Sequence, residues 1–226
     1  VERSRGLGDV YKRQVIDPNA LATEFGLDQT RYFLMREVPF GNDGDFSRRA
    51  MVHRMNGDLA NDLGNLSQRV LSMIFKNCEG VMPALPDMPQ DADKALLASA
   101  DALIAEVRDQ MDRQAFNDAL RAIWQVISDA NRYVDAMAPW GLKKTDPDRM
   151  AEVLAVLAET IRQVAILVQP VMPDSAAQIL DQLGVAPEAR DFTAIGGQGR
   201  LPGGNLIDKP EPVFPRYVED ETGQGG

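Results

Sequence analysis

One cysteine and one histidine stand in 226 residues, and that scarcity closes off several kinds of chemistry before any motif is read. Cys78 alone forms no internal disulfide, so nothing suggests a secreted scaffold; a two- or three-cysteine metal site is excluded, and a cytoplasmic location is expected. His53 stands among Arg49, Arg54 and polar neighbours, without the spacing of a zinc site or a catalytic triad. No phosphate-cradling glycine loop and no nucleophile elbow is present, and the carboxylates are scattered over polar faces. No residue of this chain is therefore read as catalytic, and none as a metal ligand.

Positive charge is also short. Against 34 acidic side chains there are 24 basic ones, a net charge of −10. That balance argues against a protein that coats nucleic acid through a broad basic surface. It does not exclude a local nucleic-acid site, because base-edge contacts, unlike phosphate contacts, do not depend on net positive charge. The longest apolar stretch, 150–172, is interrupted by Glu152, Glu159, Arg162 and Gln163. It reads as an amphipathic or buried helix, not a membrane span. No secretory signal is read either.

What the chain does have is 44% hydrophobic residues with only 6% aromatics, a balance that favours helices over sheets. After Ser47, a candidate N-cap, Met51, Met55, Leu59, Leu63, Leu66, Val70 and Ile74 recur every three or four residues, the mark of one long amphipathic helix. Leu96 to Met111, Phe116 to Val134 and roughly Arg149 to Gln169 carry the same period, and "SAAQILDQL" is a shorter helix with Asp174 as its cap and Gly184 as its stop. Upstream, "VIDPNALATEF" and "LDQTRYFLMREV" read as two helices broken at Gly26, with Asp28 capping the second; "PFGNDGDFS" is a turn-rich loop. The expectation is an all-α protein, an antiparallel helix bundle of about four or five long helices. Residues 15–46 would form connector helices, 47–184 the bundle, and 185–226, rich in Gly and Pro, an irregular and disordered tail. The opening "VERSRGLGDVYKRQ", residues 1–14, shares no period with the rest and is read as non-native, adapter-like sequence.

Two constellations stand out on the helices. Asn61, Asn65 and Arg69 are four apart and lie in one row beside the apolar stripe, where amide and guanidinium could contact a base edge or bond to a neighbouring helix or water. Asn131 and Asp135 repeat that spacing and lead to Pro139 and Trp140. A proline ends the helix there, so the indole is expected just beyond a rigid end, either closing the core or offering a plate on which an unpaired base stacks. Lys143 and Lys144 follow within a turn, as a solvated pair or as phosphate contacts.

The strings "DPNALATEFGLDQTRYFLMREVPFGNDGDFS", "NGDLANDLGNLSQR", "ANRYVDAMAPW" and "KPEPVFPRYVE" together resemble the C-terminal part of the bacterial methionine–tRNA ligases, class I aminoacyl-tRNA synthetases, from Val15 to about Glu219. The resemblance implies that the bundle binds the CAU anticodon of methionine tRNA through Asn65, Arg69 and Trp140. Pro139 would fix the tryptophan, and Asn131 and Asp135 would support the site. It further implies that the whole enzyme joins methionine to tRNA using ATP and magnesium, while this segment, lacking the catalytic Rossmann domain, holds no cofactor and is inactive alone. "GLGDVYKRQ" occupies the place of the family's KMSKS loop, so Lys12 and Arg13 are not assigned its role. A monomer is expected, with no membrane partner. The rival expectations are a helical protein-interaction module without RNA, which calls for a Trp140 buried in the core, and the anticodon domain of another class I synthetase.

Overall fold

A computed structural model describes residues 17–37, 47–197 and 199–218; the expectations for residues 1–14 and for the loop 39–46 lie outside them. The chain enters through α1 (Pro18–Phe25), where the Asp17 carboxylate accepts from the Asn19 N–H and Pro18 stands where a missing N–H costs nothing. Gly26, at φ 96°, turns the chain into α2 (Leu27–Glu37). Asp28 was expected to cap α2. Instead it lies buried inside the first turn, and its Oδ2 accepts from the Ser175 N–H at 2.6 Å. It thus serves α9 (Pro173–Gln182), whose own flanking residue, Met172, has no side-chain acceptor. Asp174, expected as that cap, falls inside the helix. A carboxylate at the positive end of a helix is favourable whichever part of the chain supplies it, and 147 residues of separation hide the pairing from local reading.

The long helix predicted after Ser47 is present but not uniform. Ser47 accepts from the Ala50 N–H as expected, opening α3 (Arg48–Arg54). The next ten residues, Met55–Gly64, widen into a π-helix before α4 (Asn65–Asn77) resumes the tighter winding. Two helices of 22 residues follow, α5 (Asp91–Asp112) and α6 (Phe116–Met137); the short link between them folds α6 back antiparallel along α5. Ala138, in the left-handed region at φ 43°, leads into the short α7 (Pro139–Thr145). Asp146 then caps α8 (Pro147–Val168) through the Arg149 N–H.

The 150–172 stretch takes the buried alternative. From Arg149 to Val168 only Ala151 and Glu152 escape full burial, and α4, α5, α6, α7 and α9 pack around α8. A helix apolar on every side can be stable only in such a place. Its polar residues form paired groups: Glu159 accepts from Arg162 at 2.9 and 2.7 Å and from Gln163 at 2.9 Å. At the other end Arg149 grips Asp93 with both Nη atoms, at 2.7 and 2.6 Å, while the Tyr133 hydroxyl donates to the same carboxylate at 2.6 Å. Three helices are joined by that one acid.

The tail is irregular as expected but packed where disorder is expected, up to residue 218; its end, 219–226, lies outside the described residues. Residues 185–197 and 199–218 are irregular apart from two short 3-10 turns, Pro187–Ala189 and Phe192–Ala194, yet Leu201, Ile207 and Phe214 are buried. The buried polar groups of α8 fasten it: Arg162 donates to the Ala194 carbonyl at 3.0 Å, and Glu159 accepts from the Leu201 N–H at 3.0 Å. Val81 and Leu206 form an antiparallel bridge, flanked by hydrogen bonds from Met82 N to Asn205 O and from Ile207 N to Gly80 O. A Gly- and Pro-rich composition reads as disorder only when no external partner satisfies the backbone. Here the bundle supplies the partners. Among the described residues there is no named strand, and no helix is long and apolar enough to cross a membrane.

Candidate nucleic-acid interface

The candidate residues assemble around the π-helical stretch. Such a stretch drops the usual i→i−4 pattern, and side chains can then insert into the ladder and take its carbonyls. Two side chains of α6 do so: Trp124 donates to the Asp58 carbonyl at 3.1 Å, and Asn131 to the Asp62 carbonyl at 3.3 Å. Asn131 also donates to Ile127 at 3.0 Å, so its amide braces α6 against the wide turn. Trp124 is buried with its ring centroid 4.5 Å from that of Tyr32, whose hydroxyl donates to the Asp58 carboxylate at 2.7 Å. Asp62 stands close by. Burial, and then the charge of Asp58, pushes its carboxyl above the usual range.

The wide turn also orients the predicted row. In an α-helix a four-residue step overshoots a full turn by roughly 40°, whereas in the wider π-helix it falls short. The step from Asn61 to Asn65 and the step from Asn65 to Arg69 therefore drift in opposite senses, which keeps the three on one face. Asn61 and Asn65 are exposed and line a cleft of about 280 Å³ with Gln68, Phe214 and Arg216. One turn further on, Arg69 leaves the row sideways. Its Nη2 lies 3.0 Å from Asp135 Oδ1, and its guanidinium carbon is 5.4 Å from the centroid of the Trp140 ring.

Trp140 lies beyond the end of α6, and the chain there starts a new helix, so the indole stands on the first turn of α7. The break is made by the left-handed Ala138, a conformation costing about 1–2 kcal/mol for a residue with a Cβ, and Pro139 then starts α7 instead of simply ending α6. Pro139 is buried, while the indole beside it is 51% exposed. That exposure opposes the core-closing alternative. Lys143 and Lys144 are exposed on the last turn of α7.

Asn65, Arg69, Asp135 and Trp140 thus share one surface, with Asn131 and Pro139 behind it. Arg216 was missed. It arrives from the tail and donates to Asn61 Oδ1 at 2.8 Å. The signal lies in the string "KPEPVFPRYVE", where an arginine follows three prolines and an aromatic in a tail whose composition otherwise reads as disordered.

Residues 10–71 match the family model described as tRNA synthetases class I (M), and residues 83–224 the model described as the anticodon binding domain of methionyl tRNA ligase. The chain belongs to the methionyl-tRNA ligase family. It is 55% identical over 205 residues to the methionine–tRNA ligase of Brucella suis, covering 91% of this chain and 39% of that protein. Against the Rhizobium meliloti ligase it is 51% identical over 219 residues, covering 97% of this chain and 41% of that protein. The free-state crystal structure of Mycobacterium tuberculosis methionyl-tRNA synthetase superposes with a TM-score of 0.87 at 50% identity, covering 92% of this chain and 42% of that one. The chain spans about two fifths of the length of the curated relatives it matches. Asn65 and Arg69 fall within the first matched stretch, and Asn131, Asp135, Pro139, Trp140 and Arg216 within the second, so the candidate surface is built from both.

Proposed function

We propose that this surface binds the CAU anticodon of methionine tRNA, so that the whole enzyme, in the cytoplasm and as a monomer, can attach methionine to that tRNA. The observation that carries the reading is the half-exposed Trp140 with the Arg69 guanidinium set over its ring. An indole in that setting is a stacking platform for an unpaired base, and a guanidinium fork beside it can hydrogen-bond a base edge. Asn65, exposed one turn away, adds both a donor and an acceptor. Asp135 holds Arg69, while Asn131 and Pro139 hold the helices on which the platform stands. ATP and magnesium would be bound by the part of the enzyme that this chain does not span, so the chain alone is inactive.

The test is a fluorescence titration of the full 226-residue chain carrying Trp124→Phe, which leaves Trp140 as the reporter. Titration with a methionine-tRNA anticodon hairpin is expected to quench it, and the same hairpin with a changed anticodon is not. Equal quenching by both hairpins would remove the claim of anticodon reading. No response to either, in a folded protein, would remove RNA binding altogether.

A further inference from the structure

Residues 214–217 touch the π-helical stretch at three successive points. Phe214 packs over Gly64, where an added Cβ would stand 3.3 Å from the Phe214 Cβ and 2.9 Å from the Leu59 carbonyl oxygen. Arg216 reaches Asn61 at 2.8 Å. Tyr217 is held through its backbone by the side chain of Asn56, whose Oδ1 accepts from the Tyr217 N–H at 2.8 Å and whose Nδ2 donates to the Tyr217 carbonyl at 3.0 Å. One amide side chain thus makes both bonds that a neighbouring strand would make. The Tyr217 ring stands 5.1 Å from Phe25, and its hydroxyl accepts from Arg48 at 2.7 Å and donates to Glu24 at 3.0 Å.

An arginine side chain has many rotamers, and the position of its guanidinium is only as well defined as the backbone that carries it. Nothing in a regular helix or sheet fixes the backbone at Arg216. The fastenings at Phe214 and Tyr217 do, and both rest on the same π stretch that presents Asn61. We propose that Asn56 and Tyr217 are positioning residues for the RNA site: they hold Arg216 in the cleft with Asn61 and Asn65, where it meets the bound loop. This rests on the RNA-binding reading above and adds to it a function for the tail. It also ties the cleft to α1 and α3, since Tyr217 is shared between Asn56 and the cluster of Phe25, Phe33, Met51 and Met55.

A double-mutant cycle on the full chain tests the proposal, because it separates acting through Arg216 from general loosening. Affinity for the CAU hairpin is measured for Asn56→Ala, Arg216→Ala and the double variant, with melting temperature alongside. Two hydrogen bonds at stake lead to an expected loss of about three- to tenfold for Asn56→Ala. In the Arg216→Ala background the same change should alter affinity less than about twofold, although it lowers the melting temperature as much as before. Tyr217→Ala, which keeps the Asn56 bonds to the backbone but removes the ring packed on Phe25 and the hydroxyl between Arg48 and Glu24, should show the same dependence on Arg216 even if Asn56→Ala proves too unstable to measure. Equal losses in both backgrounds overturn the proposal, as does an Asn56→Ala protein that binds normally while Arg216→Ala binds weakly. Arg216→Ala without effect, where Arg69→Ala and Trp140→Ala weaken binding, overturns it too but leaves the RNA reading standing. If Arg69→Ala and Trp140→Ala are also without effect, that reading fails and the proposal with it.

Discussion

The guanidinium carbon of Arg69 lies 5.4 Å from the centroid of the Trp140 ring while its Nη2 is 3.0 Å from Asp135 Oδ1. Three helices contribute one residue each to this group, and every member is at least a third exposed. An exposed ion pair contributes about 0–1 kcal/mol, and an exposed cation–π contact about 0.5–1 kcal/mol. Neither interaction is strong enough to lock the group, so on the proposed reading a base would replace Asp135 or solvent as the partner of Arg69 at small cost. The group is organised but remains available.

Trp140→Ala should therefore weaken hairpin binding far more than it weakens the fold. Loss of one stacking platform corresponds to roughly 1–3 kcal/mol, or about five- to hundredfold in affinity. The measurement is anisotropy of a labelled CAU hairpin, paired with thermal melting. A melting point lowered by many degrees with unchanged affinity would show that the indole serves packing.

The two tryptophans should separate in a quenching experiment. Trp124 is 7% exposed with its indole N–H bonded to the Asp58 carbonyl, whereas Trp140 is 51% exposed. Acrylamide should quench the Trp124→Phe protein strongly and the Trp140→Phe protein weakly, and emission of the latter should lie to the blue. Similar quenching of both would contradict the exposure of Trp140.

Sequence periodicity located the bundle because it depends on local spacing alone: Leu59, Leu63, Leu66, Val70 and Ile74 line the core as their intervals require. The candidate surface was partly legible for the same reason, since Asn65 to Arg69 and Asn131 to Asp135 are single-turn steps. What stayed hidden depends on contacts between distant segments. Asp28 caps a helix 147 residues away, and Arg216 meets Asn61 across 155 residues. The π-helical turn was equally invisible, because its apolar positions still fall every three or four residues and only the ladder of hydrogen bonds changes.

Asp93 gives the fold a pH dependence. Burial alone would raise its carboxyl, but hydrogen bonds from Arg149, Tyr133 and the Gln90 N–H pull it below the usual carboxylate range. A group whose folded value is depressed stabilises the fold fully above the unfolded value of about 3.9, and that contribution is lost as pH falls through the folded value. Asp93→Asn should cost about 3 kcal/mol at neutral pH, roughly 6–12 °C for a domain of this size. As pH falls below about 4 the melting curve of the parent should begin to approach that of the variant, and the two should converge only below the depressed folded value. Parallel curves down to acid would rule out this origin.

Glu159 offers the last test, because it joins the core to the tail. Its carboxylate accepts from Arg162, Gln163 and the Leu201 N–H, and Arg162 in turn donates to Ala194. Glu159→Ala would leave the Arg162 guanidinium buried without its counter-charge, at a cost of about 3–5 kcal/mol. The helices keep their apolar contacts, so the segment between Ala194 and Leu201, held by these polar bonds, should open first. Trypsin under native conditions should then cut after Arg200 well before the bundle unfolds, whereas the parent should resist, with Arg200 paired to Asp101 at 2.6 Å. Glu159→Gln retains an acceptor for Leu201 and should cut at an intermediate rate. If Glu159→Ala instead melts as one unit with no early cleavage, the tail and the bundle are a single cooperative structure, and the buried pair serves both alike.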